Sequence, residues 1–228
     1  MARYAIGDIH GGAKTFRALL DKMNLSPEDT LYLLGDYVDR GQESKGVLDI
    51  ILDLHNAGFN IRPLRGNHDD MFLKTLQSAH NYFSSVWYDG WGRHTLVSFG
   101  VENPGQVPAK YLTLLDSMPS IMVEDDFVFV HAALDMAKDD PINESSEICM
   151  LWGQVNSVNP KKIGFRTLVT GHTIRPLPVI EISVMTNRIY LDNGAFTNLQ
   201  PDMGNLVALN LDSRGLIIHP WSDGPTEW

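Results

Sequence analysis

The first seventy residues repeat one unit three times: a short apolar run, a polar loop containing glycine, and a stretch with helical apolar spacing. Tyr4-Ala5-Ile6 leads into Gly7-Asp8-Ile9-His10-Gly11-Gly12, after which Phe16, Leu19, Leu20 and Met23 recur at i, i+3, i+4 and i+7, the period of an amphipathic helix. Leu31-Tyr32-Leu33-Leu34 leads into Gly35-Asp36-Tyr37-Val38-Asp39-Arg40-Gly41, then into Val47, Leu48, Ile51 and Leu52. Gly58 stands where a C-terminal cap belongs. Phe59–Leu64 leads into Arg65-Gly66-Asn67-His68-Asp69-Asp70 and a helix expected from about Met71. Strands alternating with helices at this spacing predict βαβ units and a parallel sheet. Ligands of such sheets collect beyond the carboxyl ends of the strands. All three polar loops follow a strand, so they converge on one rim.

Residues 78–119 break the pattern with Tyr82, Phe83, Trp87, Tyr88 and Trp91 among Gly and Pro interruptions. They read as a mostly helical excursion within a single domain of residues 1–228. The aromatic cluster packs that segment onto the body or lines a substrate cleft. From Ile121 the expected strands are Ile121–Glu124, Phe127–Val130, Leu168–Thr170, Val179–Val184, Arg188–Leu191, Leu206–Asp212 and Gly215–His219. The last two flank a hairpin turn at Asp212-Ser213-Arg214-Gly215, and Ser222–Trp228 are expected to fray. Two more polar loops leave strands in this half, one carrying His131 and one carrying Gly171-His172.

A formal net charge of −10 argues against a nucleic-acid binder, which needs a basic face to displace counterions. It is compatible with an anionic substrate wherever bound cations reverse the local field. The single cysteine, Cys149, excludes an intrachain disulfide framework. No apolar run reaches the 18 residues or more of a membrane span, and no leader precedes the first strand. The expectation is a soluble cytoplasmic protein.

Five strand-end loops thus present Asp8 and His10, Asp36 and Asp39, Asn67 and His68, His131, and His172. Taken singly, Asp8, Asp36 and Asn67 could each cap the following helix, and His131 could be a hydrogen-bonded half-buried histidine. Together, imidazoles and carboxylates suit divalent Mn, Fe or Zn, and there are more donors than one four-coordinate ion uses. A carboxylate has two oxygens, and Asp36 is placed to bridge two ions. In an extended Asp8-Ile9-His10 segment, alternate residues point the same way.

Gly7-Asp8-Ile9-His10-Gly11, Gly35-Asp36-Tyr37-Val38-Asp39-Arg40-Gly41, Gly66-Asn67-His68-Asp69, the later His131 and Gly171-His172 together resemble the calcineurin-like metallophosphoesterase superfamily. The similarity is to its phosphoprotein phosphatase branch, in the compact form of bacteria and phages. The resemblance implies an α/β fold, a four-layer αββα sandwich of mixed sheets. It implies two divalent ions, manganese first with iron or zinc as alternatives. Asp8, His10 and Asp36 would hold one ion, and Asp36, Asn67, His131 and His172 the other. His68 would act as general acid oriented by Asp39, Arg40 and Asn67 would bind the phosphate, and a hydroxide bridging the metals would attack phosphorus directly.

The expected reaction is phosphomonoester hydrolysis on phosphoserine and phosphothreonine proteins, or on small phosphoesters. The alternative is a symmetrical dinucleoside tetraphosphatase. Asp69, where the protein-phosphatase branch usually has Glu, favours the alternative. Asp39, which the tetraphosphatases usually replace with alanine, favours the first. Gly153 and Gln154 follow Trp152 where small phage-type members carry a second phosphate-binding arginine, and Arg175 is a candidate substitute.

Overall fold

Each N-terminal repeat becomes a strand, a loop and a helix in the computed structural model, which describes residues 1–77, 82–154, 157–197 and 201–224. They are β1 (Arg3–Ile6), α1 (Ala13–Met23), β2 (Thr30–Leu33), α2 (Ser44–Asn56), β3 (Asn60–Pro63) and α3 (Asn67–Gln77). The excursion contains α4 (Tyr82–Asp89), α5 (Gly92–Phe99), a short 3₁₀ turn at Pro104–Gln106 and α6 (Ala109–Asp116). Then follow β4 (Ile121–Val123), β5 (Phe127–Val130), α7 (Pro141–Glu144), α8 (Glu147–Trp152), β6 (Thr167–Thr170), α9 (Leu177–Ser183), β7 (Arg188–Tyr190), β8 (Asp192–Asn193), β9 (Asn205–Asn210) and β10 (Leu216–Pro220). The side chains of Tyr82 and Phe83, and residues 225–228, lie outside what is described.

The strands form two mixed sheets. The first runs β10-β9-β1-β2-β3, with β8 added beside β9, and the second runs β4-β5-β6-β7. β1, β2 and β3 pair in parallel, with Ile6 opposite Leu33 and Leu33 opposite Pro63. β9 runs antiparallel to β1. In the second sheet β5, β6 and β7 are parallel and β4 is antiparallel.

Side-chain alternation explains the four layers. On β1 and β2, Ile6, Leu31 and Leu33 face α1 and α2, where Phe16, Leu19, Val47 and Ile51 cover them. Ala5, Tyr32 and Leu34 point the other way and meet Phe129, Val169 and Ile189 of the second sheet. Tyr32 and Phe129 stack across that seam at 4.2 Å. The outer face of the second sheet, Val128, Val130 and Leu168, packs on Leu134, Met150 and Ile163. Strands covered on both faces need apolar side chains at successive positions, and each such side chain contributes about 1.5–3 kcal/mol of burial. The architecture is the expected αββα sandwich.

Three local expectations are corrected. Val179–Val184 is not a strand but lies in and just after α9. Ile180, Ser183 and Val184 are its buried positions, the i, i+3, i+4 spacing of a helix face, whereas Val and Ile content suggested β structure. α3 begins at Asn67, so its first turn is the loop motif itself. Ser222 and Asp223 are held rather than frayed. The Asp223 carboxylate accepts the backbone N–H groups of Lys14 and Thr15, both at 2.8 Å, and so supplies the N-terminal cap that Gly12 cannot.

Candidate metal centre

The five loops meet at the carboxyl ends of β1, β2, β3, β5 and β6. Asp8, His10, Asp36, Asp39, Asn67, His68 and His131 are all buried, and His172 is partly so. Helix capping does not explain the first two carboxylates: α1 and α2 start at Ala13 and Ser44, well after Asp8 and Asp36.

Left-handed backbone aims several of these side chains. His10, Asp36, Asp39, Arg40 and His172 have φ of 46°, 55°, 69°, 66° and 64°. Non-glycine residues rarely adopt this region, and such strain persists where the surroundings over-determine it. His10 therefore departs from the extended segment expected for Asp8-Ile9-His10. Glycines supply the closest approaches. A Cβ at Gly66 would collide with the backbone and carboxylate of Asp36, and one at Gly171 would collide with the Asp8 carboxylate.

Asp36 sits at the centre. Its Oδ2 lies 3.4 Å from His10 Nε2 and its Oδ1 lies 3.5 Å from His131 Nε2. The donor atoms of His10, Asp36 and His68 lie within 4.8 Å of one another, as do those of Asp8, Asp36 and His131. Asp36 belongs to both groups. Asn67 Oδ1 lies 2.8 Å from His131 Nε2 and 3.0 Å from His172 Nδ1. His10 and His131 each donate Nδ1–H to a backbone carbonyl, of Val38 at 3.2 Å and Leu34 at 2.8 Å. That sets the tautomer and leaves each Nε2 lone pair facing the carboxylates, the usual arrangement of a metal-binding histidine.

His68 is engaged differently. Its Nδ1–H donates to Asp39 Oδ2 at 2.9 Å, and its Nε2 lies 3.3 Å from Arg40 Nη2. Asp39 also accepts from Trp87 Nε1 at 2.9 Å and Thr95 Oγ1 at 2.6 Å. The excursion therefore anchors Asp39 through α4 and α5. Trp91 follows α4, 5.1 Å from the His68 ring. The Arg40 guanidinium is held between Trp91 and Phe196, 4.7 and 4.4 Å from the two ring centroids, and its Nε is buried without a partner. Arg175 lies against Tyr190, 5.1 Å from that ring, and is not among the residues lining the small cavity of about 120 Å³ over His10, Asp36, Asn67, His68 and His172.

Electrostatics account for the need for cations. Burial raises Asp8 well above the usual carboxylate range, and the neighbouring Asp192 and Asp36 raise it further. Burial also lifts Asp192 to about 6 and Asp69 to about 7, each with Asp36 adding to the rise. For Asp36 burial acts upward too, but His131, His68 and His10 outweigh it and hold this carboxylate below its ordinary value. Burial pushes His10 and His131 down and takes His172 to about 4, so these imidazoles are neutral donors at neutral pH. A buried group of carboxylates facing one arginine is expensive unless cations neutralise it. The neutral imidazole and carboxylate donor set fits divalent ions.

Sequence reasoning missed several residues around this centre. Asp192 and Phe196 line the cavity, Phe196 in edge contact with His10 at 4.8 Å. Trp87 and Thr95 hold Asp39, and His94 Nδ1–H donates to the Arg40 carbonyl at 2.9 Å. Asp192 had a signal, an acid directly after an expected strand. The others had none, because the excursion shows no period that places it over the rim.

A calcineurin-like phosphoesterase family model matches residues 1–176, and the chain belongs to that family. The fold and the rim of donors are those of the metallophosphoesterases, a fold that implies a dinuclear divalent metal centre, and two groups of donors here could hold the ions. Among curated proteins, the chain is 33% identical over 135 residues to a symmetrical bis(5'-nucleosyl)-tetraphosphatase of Aromatoleum aromaticum, covering 59% of this chain and 45% of the relative. It is 49% identical over 81 residues to the protein of the same name from Acidovorax ebreus, covering 35% and 27%. The match thus spans less than half the length of these relatives.

Among solved structures, a candidate diadenosine tetraphosphatase superposes with a TM-score of 0.65 at 20% identity, covering 97% of this chain and 94% of that one. A protein serine/threonine phosphatase from Saccharomyces cerevisiae gives 0.60 at 15%, covering 99% and 81%. These structures share the fold alone. The curated relatives overturn the expectation of a serine/threonine protein phosphatase. The physical reason is that Asp39, which pointed that way, is fully buried and spends its oxygens on His68, Trp87 and Thr95. It does not line the cavity over the metal-site residues, so it makes no contact that would select a protein over a nucleotide.

Proposed function

We propose that this chain hydrolyses dinucleoside polyphosphates symmetrically, acting as one catalytic unit over residues 1–228. The reading is carried by the curated relatives named symmetrical bis(5'-nucleosyl)-tetraphosphatase. Asp69 in place of Glu supports it. In this proposal Asp8, His10, Asp36, Asn67, His131 and His172 hold two ions, manganese first among Mn, Fe and Zn, with Asp36 shared. When bound, such ions polarise phosphoryl oxygens and lower the pKa of a coordinated water.

The protein's own groups do the rest. Arg40 offers its fork to the phosphoryl oxygens, a bidentate match, with its unpartnered Nε as spare donor capacity. Asn67 reaches the same phosphate through its amide. Asp39 fixes His68 through Nδ1, leaving Nε2 toward the cavity. Nε2 accepts from Arg40 Nη2 at 3.3 Å; once Arg40 turns to the phosphate, a proton carried on Nε2 is delivered to the departing phosphate oxygen, a contribution of about 10²–10⁴-fold. Burial of the pair excludes water that would compete for that proton.

The test is a side-by-side assay of manganese-loaded protein on diadenosine tetraphosphate and a phosphoserine peptide. The expected result is faster turnover of the dinucleotide with ADP as the only nucleotide product. ATP plus AMP, or faster turnover of the peptide, would overturn the proposal.

A further inference from the structure

Two cavities share a wall beside the metal centre. The one over the metal-site residues is small, about 120 Å³. The other, about 420 Å³, lies between the α4–α5 segment and α8. Trp91 and Trp152 line both. Trp91 carries the Arg40 guanidinium 4.7 Å from its ring, and Trp152 lies 6.3 Å from His172. Only the larger cavity falls in the range of about 300–1,000 Å³ that encloses small organic ligands. Its remaining walls are chiefly apolar, from Met71, Val86, Ile148 and Leu151. Ile148 is 70% and Trp152 36% exposed, apolar surface that a ligand covers with profit. Polar groups at the edge include Asp70, Lys74 and Glu147.

We propose that this cavity is a nucleobase subsite. A phosphate chain gripped by Arg40 leaves the small cavity past Trp91 and Trp152, and the planar apolar group it carries stacks on an indole there. Base–indole stacking tolerates any base and contributes strongly to nucleotide affinity. The proposal rests on the dinucleoside polyphosphate reading, and it assigns Val86 and Ile148 as specificity-determining residues that contact the base and not the phosphates.

Calorimetric binding of ADP and of methyl diphosphate to the metal-loaded protein tests it, because both are diphosphate monoesters of equal charge and they differ by the nucleoside. ADP is expected to bind about tenfold or more tighter. Ile148→Ser, at an exposed position, should erase most of that gap while leaving methyl diphosphate affinity and the melting temperature unchanged; Val86→Ser, at a position whose side chain also packs on the core, should erase it at a lower melting temperature with methyl diphosphate affinity kept. Equal affinities in the unmodified protein, or variants that keep the gap or weaken both ligands alike, overturn the subsite. A phosphotyrosine peptide that binds as tightly as ADP, and is weakened by the same variants, overturns the base assignment in favour of a peptide ring. If diadenosine tetraphosphate is not cut to ADP but the gap exists and vanishes in the variants, the substrate reading falls and the subsite stands. If the dinucleotide is cut and no gap exists, the subsite falls alone.

Discussion

Asp69 shows how much of the centre depends on a residue that need not touch substrate. Its carboxylate accepts the backbone N–H groups of Asp36, Tyr37 and Gly66 at 2.8, 3.0 and 2.9 Å. It ties the second loop to the third and holds the backbone of Asp36 in its left-handed conformation. Removing an acceptor from several buried donors costs about 1–3 kcal/mol for each group left unmade. Asp69→Ala is therefore expected to lose at least about 3 kcal/mol in urea unfolding, together with bound metal; an unfolding curve within error of the parent would contradict this role. His68 makes the complementary case. His68→Asn should leave metal content unchanged and lower turnover by about 10²-fold on a dinucleoside polyphosphate, the low end of the general-acid range. A phosphate leaving group is a weaker base than an alkoxide and needs its proton less. Metal loss measured by elemental analysis would make His68 a ligand instead.

At the scale of elements, the loops matter more than the strands that present them. Asp8 and His172 come from opposite sheets, and the His172 N–H donates to both Asp8 oxygens at 3.1 and 3.0 Å. Gly171 makes that approach possible, so Gly171→Ala should displace Asp8 and cost metal while the sandwich still folds. Elemental analysis alongside a thermal melt would check it, and full metal occupancy in the variant would refute it. The excursion has a comparable role. α4 and α5 bring Trp87 and Thr95 to Asp39, and the chain between them brings Trp91 to Arg40. The described aromatic residues divide between packing and lining: Trp87 packs against Phe72, and Trp91 walls the cavity over the metal-site residues. α9 was misread because β-branched residues suit strands in isolation, whereas three buried positions spaced for a helix decide the matter here.

For the molecule as a whole, the rim concentrates negative charge that Arg40 offsets only in part. Asp8 is raised, and Asp69 and Asp192 stand at about 7 and about 6 in the metal-free protein. A dication favours the ionised form of each, so a proton competes with it. Metal binding near pH 6 should therefore release protons, and affinity should rise with pH through about 6 to 7. His172, taken to about 4, releases none in that window. Calorimetry in buffers of different ionisation enthalpy measures the release; identical heats in all buffers would show the acids already ionised.

Much of this was legible in one dimension. Strand, loop and helix alternate at short range, so local periodicity determines that Asp8, His10, Asp36, Asn67, His68, His131 and His172 all leave the same ends of parallel strands. Parallel pairing with the helices on one face then carries them to one rim. Tertiary structure alone decided the rest. Asp192 and Phe196 reach the cavity because β8 pairs beside β9, Asp223 caps a helix 208 residues earlier in the chain, and Trp87 and Thr95 secure Asp39 from a segment with no telling period. Those contacts join groups far apart in sequence through the packing of two sheets and an excursion. Side-chain order along the chain does not encode such packing, which supplies the part of the cavity wall formed by Trp91, Trp152, Asp192 and Phe196.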